Sequence, residues 1–288
     1  MICDLCPRQC KVDRKIKKGF CGADDRIKIN LYDLHFGEEP IISAQNGSGA
    51  IFFSHCNLRC VFCQNYLISD LGHGDYYSVE DLANIMLTLQ GKNAHNINLV
   101  TPTHYTDSVI EAIILAKNKG LKIPIIWNTN GYENAETLKL LENLVDVFLP
   151  DFKYFDSEYS IKFSRSADYP EKAKSAIIEM YRQVGNIELE NNLVKKGLMI
   201  RLLILPENFN SIEKVLNWIK QNIGNKVYIS LMAQYYPIHK SSDYPEINRP
   251  INKKEYNHAL DVLFDMGFEN GFIQEFGADN KYIPHFRL

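Results

Sequence analysis

No stretch of this chain approaches the ~20 consecutive apolar residues of a membrane span. The longest strongly apolar run, Leu198 to Leu205, is interrupted by Arg201. The opening Met1-Ile2-Cys3-Asp4 has neither the basic nor the apolar region of a secretory signal. No charge of one sign prevails: Lys+Arg 32 against Asp+Glu 35 give a net charge of −3, so neither nucleic acid nor an anionic membrane is expected as a partner. Repeats and low-complexity tracts are absent. So is any cysteine after Cys63. What remains is the composition of an ordinary globular protein, 45% hydrophobic and 23% charged, expected in a reducing cytoplasm.

All seven cysteines therefore crowd into the first 63 residues, as four (Cys3, Cys6, Cys10, Cys21) and three (Cys56, Cys60, Cys63). An odd number in such a compartment argues against a disulfide framework and for metal or catalytic work.

From Gly49 onward, short apolar runs alternate with helical patterns. The first run is Ala50 to Phe53; later ones are Ile97 to Val100, Ile123 to Trp127, Val145 to Leu149, Leu198 to Leu205, Val227 to Leu231 and Phe272-Ile273. Between them lie amphipathic patterns such as Leu82, Ile85, Met86 and Leu89 after Ser78, and Ala173, Ala176, Ile177, Met180, Tyr181 and Val184. Continuous apolar strands alternating with helices predict a parallel sheet covered on both faces. An open doubly wound sheet is the alternative, but no G-x-G-x-x-G follows the first strand. The expected organisation is a cysteine module and connecting segment over 1–48, then one barrel domain over 49–288. Polar residues gather at the strand ends: His55 and Cys56, Thr101 to His104, Asn128 to Asn130, Asp151 and Lys153, and Gln234. In a parallel barrel these ends share one mouth, where catalytic groups collect.

The loop after the first run, Cys56 to Cys63, reads C-x3-C-x2-C. Three thiolates this close can hold three irons of a [4Fe–4S] cluster and leave the fourth open. Zinc completed by His55, or three free cysteines, are the competing readings. The loop resembles that of the radical S-adenosylmethionine superfamily, including Phe62 before the last cysteine. The resemblance implies a partial (β/α)6 barrel and an oxidoreductase chemistry. The open iron chelates S-adenosylmethionine, an external donor of the flavodoxin or ferredoxin type supplies one electron, and a 5′-deoxyadenosyl radical abstracts hydrogen from the substrate.

Further segments resemble the pyruvate formate-lyase activating enzyme group, in its branch with an N-terminal four-cysteine module: Asn128-Thr129-Asn130-Gly131-Tyr132, Val145 to Lys153, and Arg201 to Pro206. That resemblance implies a protein substrate whose glycine loses hydrogen, and it places Phe62, Asn130, Asp151, Lys153 and Arg201 at the S-adenosylmethionine site. Arg201, costly inside an apolar strand without an anion, would meet the methionine carboxylate or else pair internally with an acid such as Asp151. Asn130 would bind the cofactor or only make the Asn-Gly turn. Two features depart from the group. Thr101-Pro102-Thr103-His104 stands where the superfamily's G-G-E is expected, leaving His104 as substrate-facing or an ordinary loop histidine, and Met232 to Tyr236 replaces L-P-Y-H.

Cys3, Cys6, Cys10 and Cys21 have the spacing of a second metal site, either zinc or iron–sulfur. Arg8, Lys11, Arg14, Lys15, Lys17 and Lys18 between them read as a docking patch for an acidic partner or as a solvated face offsetting the thiolates. Besides glycine activation, the sequence leaves two functions open: radical chemistry on another peptide or a small molecule, and a non-catalytic zinc or iron–sulfur scaffold.

Overall fold

The computed structural model describes residues 2–278, 284, 286 and 287. Strands β1 (Ile27–His35), β2 (Ser48–Phe53), β3 (Asp75–Tyr77), β4 (Ile97–Val100), β5 (Ile125–Thr129), β6 (Val147–Pro150), β7 (Glu188–Glu190), β8 (Leu193–Leu203), β9 (Tyr228–Met232) and β10 (Gly271–Ile273) form one sheet. Its order is β10-β9-β8-β6-β5-β4-β2-β1-β3, with β7 paired off this path to β8. From β2 through β10 neighbours along this path are parallel; β1 joins β2, and β3 joins β1, antiparallel. Among the described residues the sheet does not close on itself, and the architecture is the expected partial barrel.

Helices α1 (Pro40–Ser43), α2 (Tyr66–Ser69), α3 (Val79–Gly91), α4 (Thr106–Asn118), α5 (Ala135–Lys139), α6 (Ser157–Ser164), α7 (Tyr169–Val184), α8 (Ile212–Asn222) and α9 (Lys253–Asp265) complete the fold. Helix α3 begins at Ser78 because its hydroxyl accepts from Asp81 N at 3.0 Å while the Asp81 carboxylate accepts from Ser78 N at 2.9 Å. Helix α7 buries Ala173, Ala176, Ile177, Met180 and Val184 on one face, while Tyr181, expected on that face too, is half-buried against the core.

Strand alternation sorts each residue to one side. Ile51, Leu99, Trp127, Phe148, Ile200 and Leu231 face the helices in the main core, leaving Phe52, Asn98, Asn128, Leu149, Arg201 and Ser230 for the barrel interior. Residues 36–47, expected only as connection, plug that interior. Ile41 and Ile42 of α1 pack with Ile126, Val147, Leu149 and Met199, and Asn96 Nδ2 donates to the Ile42 carbonyl at 2.8 Å. Ile42 is fully buried, a burial worth roughly 1.5–3 kcal/mol.

Candidate active site

A cavity of about 560 Å³ opens at the C-terminal ends of the parallel strands, lined by Cys56, Cys60, Phe62, Cys63, Asn130, Asp151, Lys153 and Arg201 together with Glu38 and Glu39 from the plug. The three-cysteine loop leaves β2 through His55, whose φ of +75° turns the chain sharply. Its ring is gripped by two glycines: a Cβ at Gly22 would lie 3.2 Å from it and one at Gly72 only 2.5 Å. The loop is then fixed by Val61 N donating to the Phe163 carbonyl at 2.9 Å and Lys240 N donating to the Val61 carbonyl at 2.8 Å.

Each sulfur of the loop has a hydrogen-bond partner. Cys56 Sγ accepts from Leu58 N at 3.4 Å and Asn130 Nδ2 at 3.2 Å, Cys60 Sγ accepts from Ser164 Oγ at 3.0 Å, and Cys63 Sγ lies 3.2 Å from Ser69 Oγ. As bare thiols Cys60 and Cys63 resist ionisation, since burial pushes Cys63 up to about 12 and raises Cys60 as well. A metal bound to sulfur reverses that preference. Three sulfurs supplied with donors at the head of a cavity fit an iron–sulfur cluster, whose tuning depends on such hydrogen bonds. Among the described residues no three Cys, His, Asp or Glu side chains converge on a point that would hold a single ion. In a cubane each cysteine holds a different iron, so its thiolates stand apart.

Asn130 makes the expected Asn-Gly turn and also reaches the three-cysteine loop. Its Oδ1 accepts from Tyr132 N at 2.8 Å, making the turn, and its Nδ2 reaches Cys56 and also Asn57 Oδ1 at 2.8 Å. Glycine is required next, because at φ +79° a Cβ on Gly131 would meet the Asp151 carbonyl oxygen at 2.2 Å. Lys153 Nζ pairs with Asp151 Oδ2 at 2.5 Å. Burial works against the lysine's charge, but Asp151 and Cys60 outweigh it and hold Lys153 above the ordinary lysine range. Tyr169, which no motif pointed to, stitches the strand ends: its hydroxyl oxygen lies 2.9 Å from the Asn130 carbonyl and 3.0 Å from that of Asp151. Phe62 packs edge-on against Tyr235 with ring centroids 5.5 Å apart.

Arg201 faces the cavity but its anion is internal. The guanidinium pairs with Glu38 and Glu39, and Nη1 donates to Asn128 Oδ1 at 3.4 Å. Burial disfavours every charge here, yet Arg201 lowers the Glu39 pKa and the two acids raise that of Arg201. The internal pair weighed for Arg201 thus forms with acids of the plug rather than with Asp151, and Glu38 and Glu39 are site residues the motifs missed; their only sequence signal is adjacent acids before Pro40. Thr101 and Gln234 line the cavity, whereas His104 does not: it is buried, with Nε2 2.7 Å from the Ser54 carbonyl oxygen.

The four-cysteine segment folds against the barrel beside the loop. Cys3 N donates to Val12 O and Lys11 N to Cys3 O, both at 2.9 Å, and Cys10 Sγ accepts from Phe20 N at 3.3 Å. Burial pushes the Cys6 thiol up to about 12 and raises that of Cys21 as well. Two of the six basic residues point inward rather than forming a patch. Arg8 Nε donates to the Asn57 carbonyl at 2.9 Å with its guanidinium 3.8 Å over the Phe20 ring, and Arg14 donates to the His104 carbonyl. Lys11, Lys15, Lys17 and Lys18 are exposed.

A partial parallel barrel with a C-x3-C-x2-C loop beyond its first parallel strand defines a class that carries a cluster with an open iron. Residues 50–219 match the family model of the Radical SAM superfamily, and the chain belongs to that superfamily. Membership implies a [4Fe–4S] cluster, S-adenosylmethionine and its reductive cleavage, with an electron donor from outside. The chain is 33% identical over 276 residues to the uncharacterized protein MJ0674 of Methanocaldococcus jannaschii, covering 90% of this chain and 73% of that one. It is 22% identical over 306 residues to MJ0808 of the same organism, covering 98% and 84%. In fold it is similar to HydG, a maturase of the [FeFe]-hydrogenase, at TM-score 0.53 and 12% identity, covering 76% of this chain. HydG from Carboxydothermus hydrogenoformans gives TM-score 0.52 and 11% identity over 76% of this chain. The chain spans 48% and 50% of those two structures, about half their length. No helix among the described residues is long and apolar enough to cross a membrane.

Proposed function

We propose that the protein abstracts a hydrogen atom from a glycine of a protein substrate, as an activating enzyme similar to that of pyruvate formate-lyase. The observation that supports this most is the convergence of Cys56, Cys60 and Cys63 with Asn130, Asp151 and Lys153 on one cavity, the segments in which the resemblance resides. With the cluster and S-adenosylmethionine bound, one electron from the donor and one hydrogen atom from the substrate yield methionine and 5′-deoxyadenosine, leaving the radical on the substrate.

The chain's own residues hold and shield. Cys56, Cys60 and Cys63 would carry three irons. Leu58 N, Asn130 and Ser164 would offset thiolate charge by hydrogen bonding. The Asp151–Lys153 pair, braced by Tyr169, would orient polar groups of the cofactor, and Phe62 with Tyr235 would keep water from the reacting centre. Cys3, Cys6, Cys10 and Cys21 would hold a second metal, zinc or iron–sulfur, only after their sulfurs are drawn together, since no three of them converge on one point as they stand. The donor would be a flavodoxin or ferredoxin in the cytoplasm.

Anaerobically reconstituted protein given dithionite and S-adenosylmethionine should yield 5′-deoxyadenosine, and Cys60→Ala should not; equal yields would sink the radical reading. Deuterium from the α-carbon of a labelled glycine in the substrate protein should appear in that product, and its absence there would remove glycine as the target. Metal content of Cys6→Ser beside wild type tests the second site.

A further inference from the structure

The mouth of the cavity already holds a short piece of polypeptide, supplied by this chain itself. Strand β10 is one edge of the sheet, yet Phe286 and Arg287, which follow it in sequence, sit on β2 and β1 near the other. Between them in sequence, Ala278 and Pro284 line the cavity. The Phe286 ring meets Phe52 edge-on, with centroids 5.5 Å apart, and packs in a small cluster with Ala50, Ile68 and Val100. Phe52 and Val100 also line the cavity, so the ring covers surface that belongs to the site.

The backbone of this piece is held separately. Asn30 Nδ2 donates to the Arg287 carbonyl and Arg287 N donates to Asn30 Oδ1, both at 2.9 Å. A carboxamide offers donor and acceptor side by side, the complement of one residue's C=O and N–H, and these two bonds read no side chain. A bulge in β1 supplies the position: Ile29 pairs with Phe53 and Leu31 with Phe52, leaving Asn30 as the extra residue. Across it the alternation changes sides, from Ile29 in the main core to Leu31 in the cluster that includes Phe286. Asn30 is 2% exposed under this cover, and with the cover removed both of its polar atoms lose their partners.

A carboxamide clamp on one residue's backbone and an apolar seat for its neighbour's ring are the parts of a peptide-binding subsite. We propose that the polypeptide substrate docks here. Asn30 takes a backbone N–H and C=O of the substrate, and the seat of Phe52, Ile68 and Val100 takes an aromatic side chain one residue earlier. Phe286 and Arg287 occupy the place in cis until the substrate displaces them. The inference rests on the reading that the substrate is a protein, and it adds to that reading an aromatic residue near the target glycine. An attached segment competes at a high effective concentration, so a free peptide binds weakly to the intact chain and the mouth stays covered between substrates.

A fluorescein-labelled peptide Pro-His-Phe-Arg-Leu, copying the sequence of residues 284–288, tests this by fluorescence anisotropy without reductant, apart from turnover. The full chain carrying Phe286→Ala, whose own segment no longer fills the seat, should bind the peptide about tenfold or more tightly than wild type. The same peptide with alanine in place of phenylalanine should bind neither chain, and combining Phe286→Ala with Asn30→Leu should abolish the gain. Equal binding of the labelled peptide by wild type and Phe286→Ala overturns the proposal. So does equal binding of the two peptides by Phe286→Ala, a comparison that stands whether or not the double variant folds, and so does undiminished binding by a folded double variant. Failure on any of these counts leaves deuterium transfer from glycine to 5′-deoxyadenosine untouched as the measure of the protein-substrate reading.

Discussion

At the scale of single residues, Arg201 and Asn130 differ in how far their roles extend beyond their own segment. An arginine inside an apolar strand announces that an anion is near, but its partners Glu38 and Glu39 lie 163 and 162 residues away, and no local pattern links them. Asn130 is local, and its turn is readable from the Asn-Gly pair; its bond to Cys56 is not. Asn130→Ala should cost about 1–3 kcal/mol, because Asn57 Oδ1 and Tyr132 N each lose a partner. It should also lower the cluster's reduction potential by removing a donor to sulfur, which a redox titration followed by electron paramagnetic resonance would register. His104 makes a second residue-scale prediction. Burial, against the opposing bond to Ser54, pushes its pKa down to about 3. Between the unfolded value near 6.5 and that folded value, the unfolded chain binds a proton the native protein refuses. Stability contributed by neutral His104 is therefore complete above pH 6.5 and falls with acidification, by up to about 1.4 kcal/mol per pH unit. Urea midpoints at pH 7 and pH 5 should differ less in His104→Gln than in wild type.

At the scale of elements, α1 has four residues and few hydrogen bonds of its own, and it is held by what it fills. Ile42→Ala should cost about 2–5 kcal/mol through the void left among Ile126, Val147, Leu149 and Met199, read as a lowered denaturant midpoint. Elements with a strong repeat were legible: β4, β5, β6 and β9 are short, mostly apolar runs, and α3, α7 and α8 have one clear apolar face. Those missed carry weak or misleading patterns. Helix α6, Ser157–Ser164, is polar and short. Strand β7 is exposed along its length. Strand β1 does alternate at Ile27 and Ile29, but the register breaks between Ile29 and Leu31 and blurs the period. The three-cysteine loop was legible because its spacing is local; the plug was not, since its residues acquire meaning only against strands formed much later in the chain.

At the scale of the whole molecule, the two cysteine groups meet through side chains that converge on Phe20. Arg8 and Arg59 both approach the Phe20 ring, at 3.8 and 5.0 Å, and Arg59 donates to the Phe20 carbonyl at 2.6 Å. Arg8→Ala should free the N-terminal segment from the barrel, seen as faster trypsin cleavage at Lys15, Lys17 and Lys18 with little change in cleavage elsewhere. The plug has a temporal counterpart. The charged floor of the cavity, where Arg201 pairs with Glu38 and Glu39, closes a loop longer than half the chain. Such a contact gains its enthalpy only after most of the conformational freedom between its ends has been surrendered. The barrel wall can assemble strand by strand from near neighbours, while the charged floor waits for β8. The chamber should thus acquire its chemical character at the end of folding, around a segment that the ribosome made near the beginning.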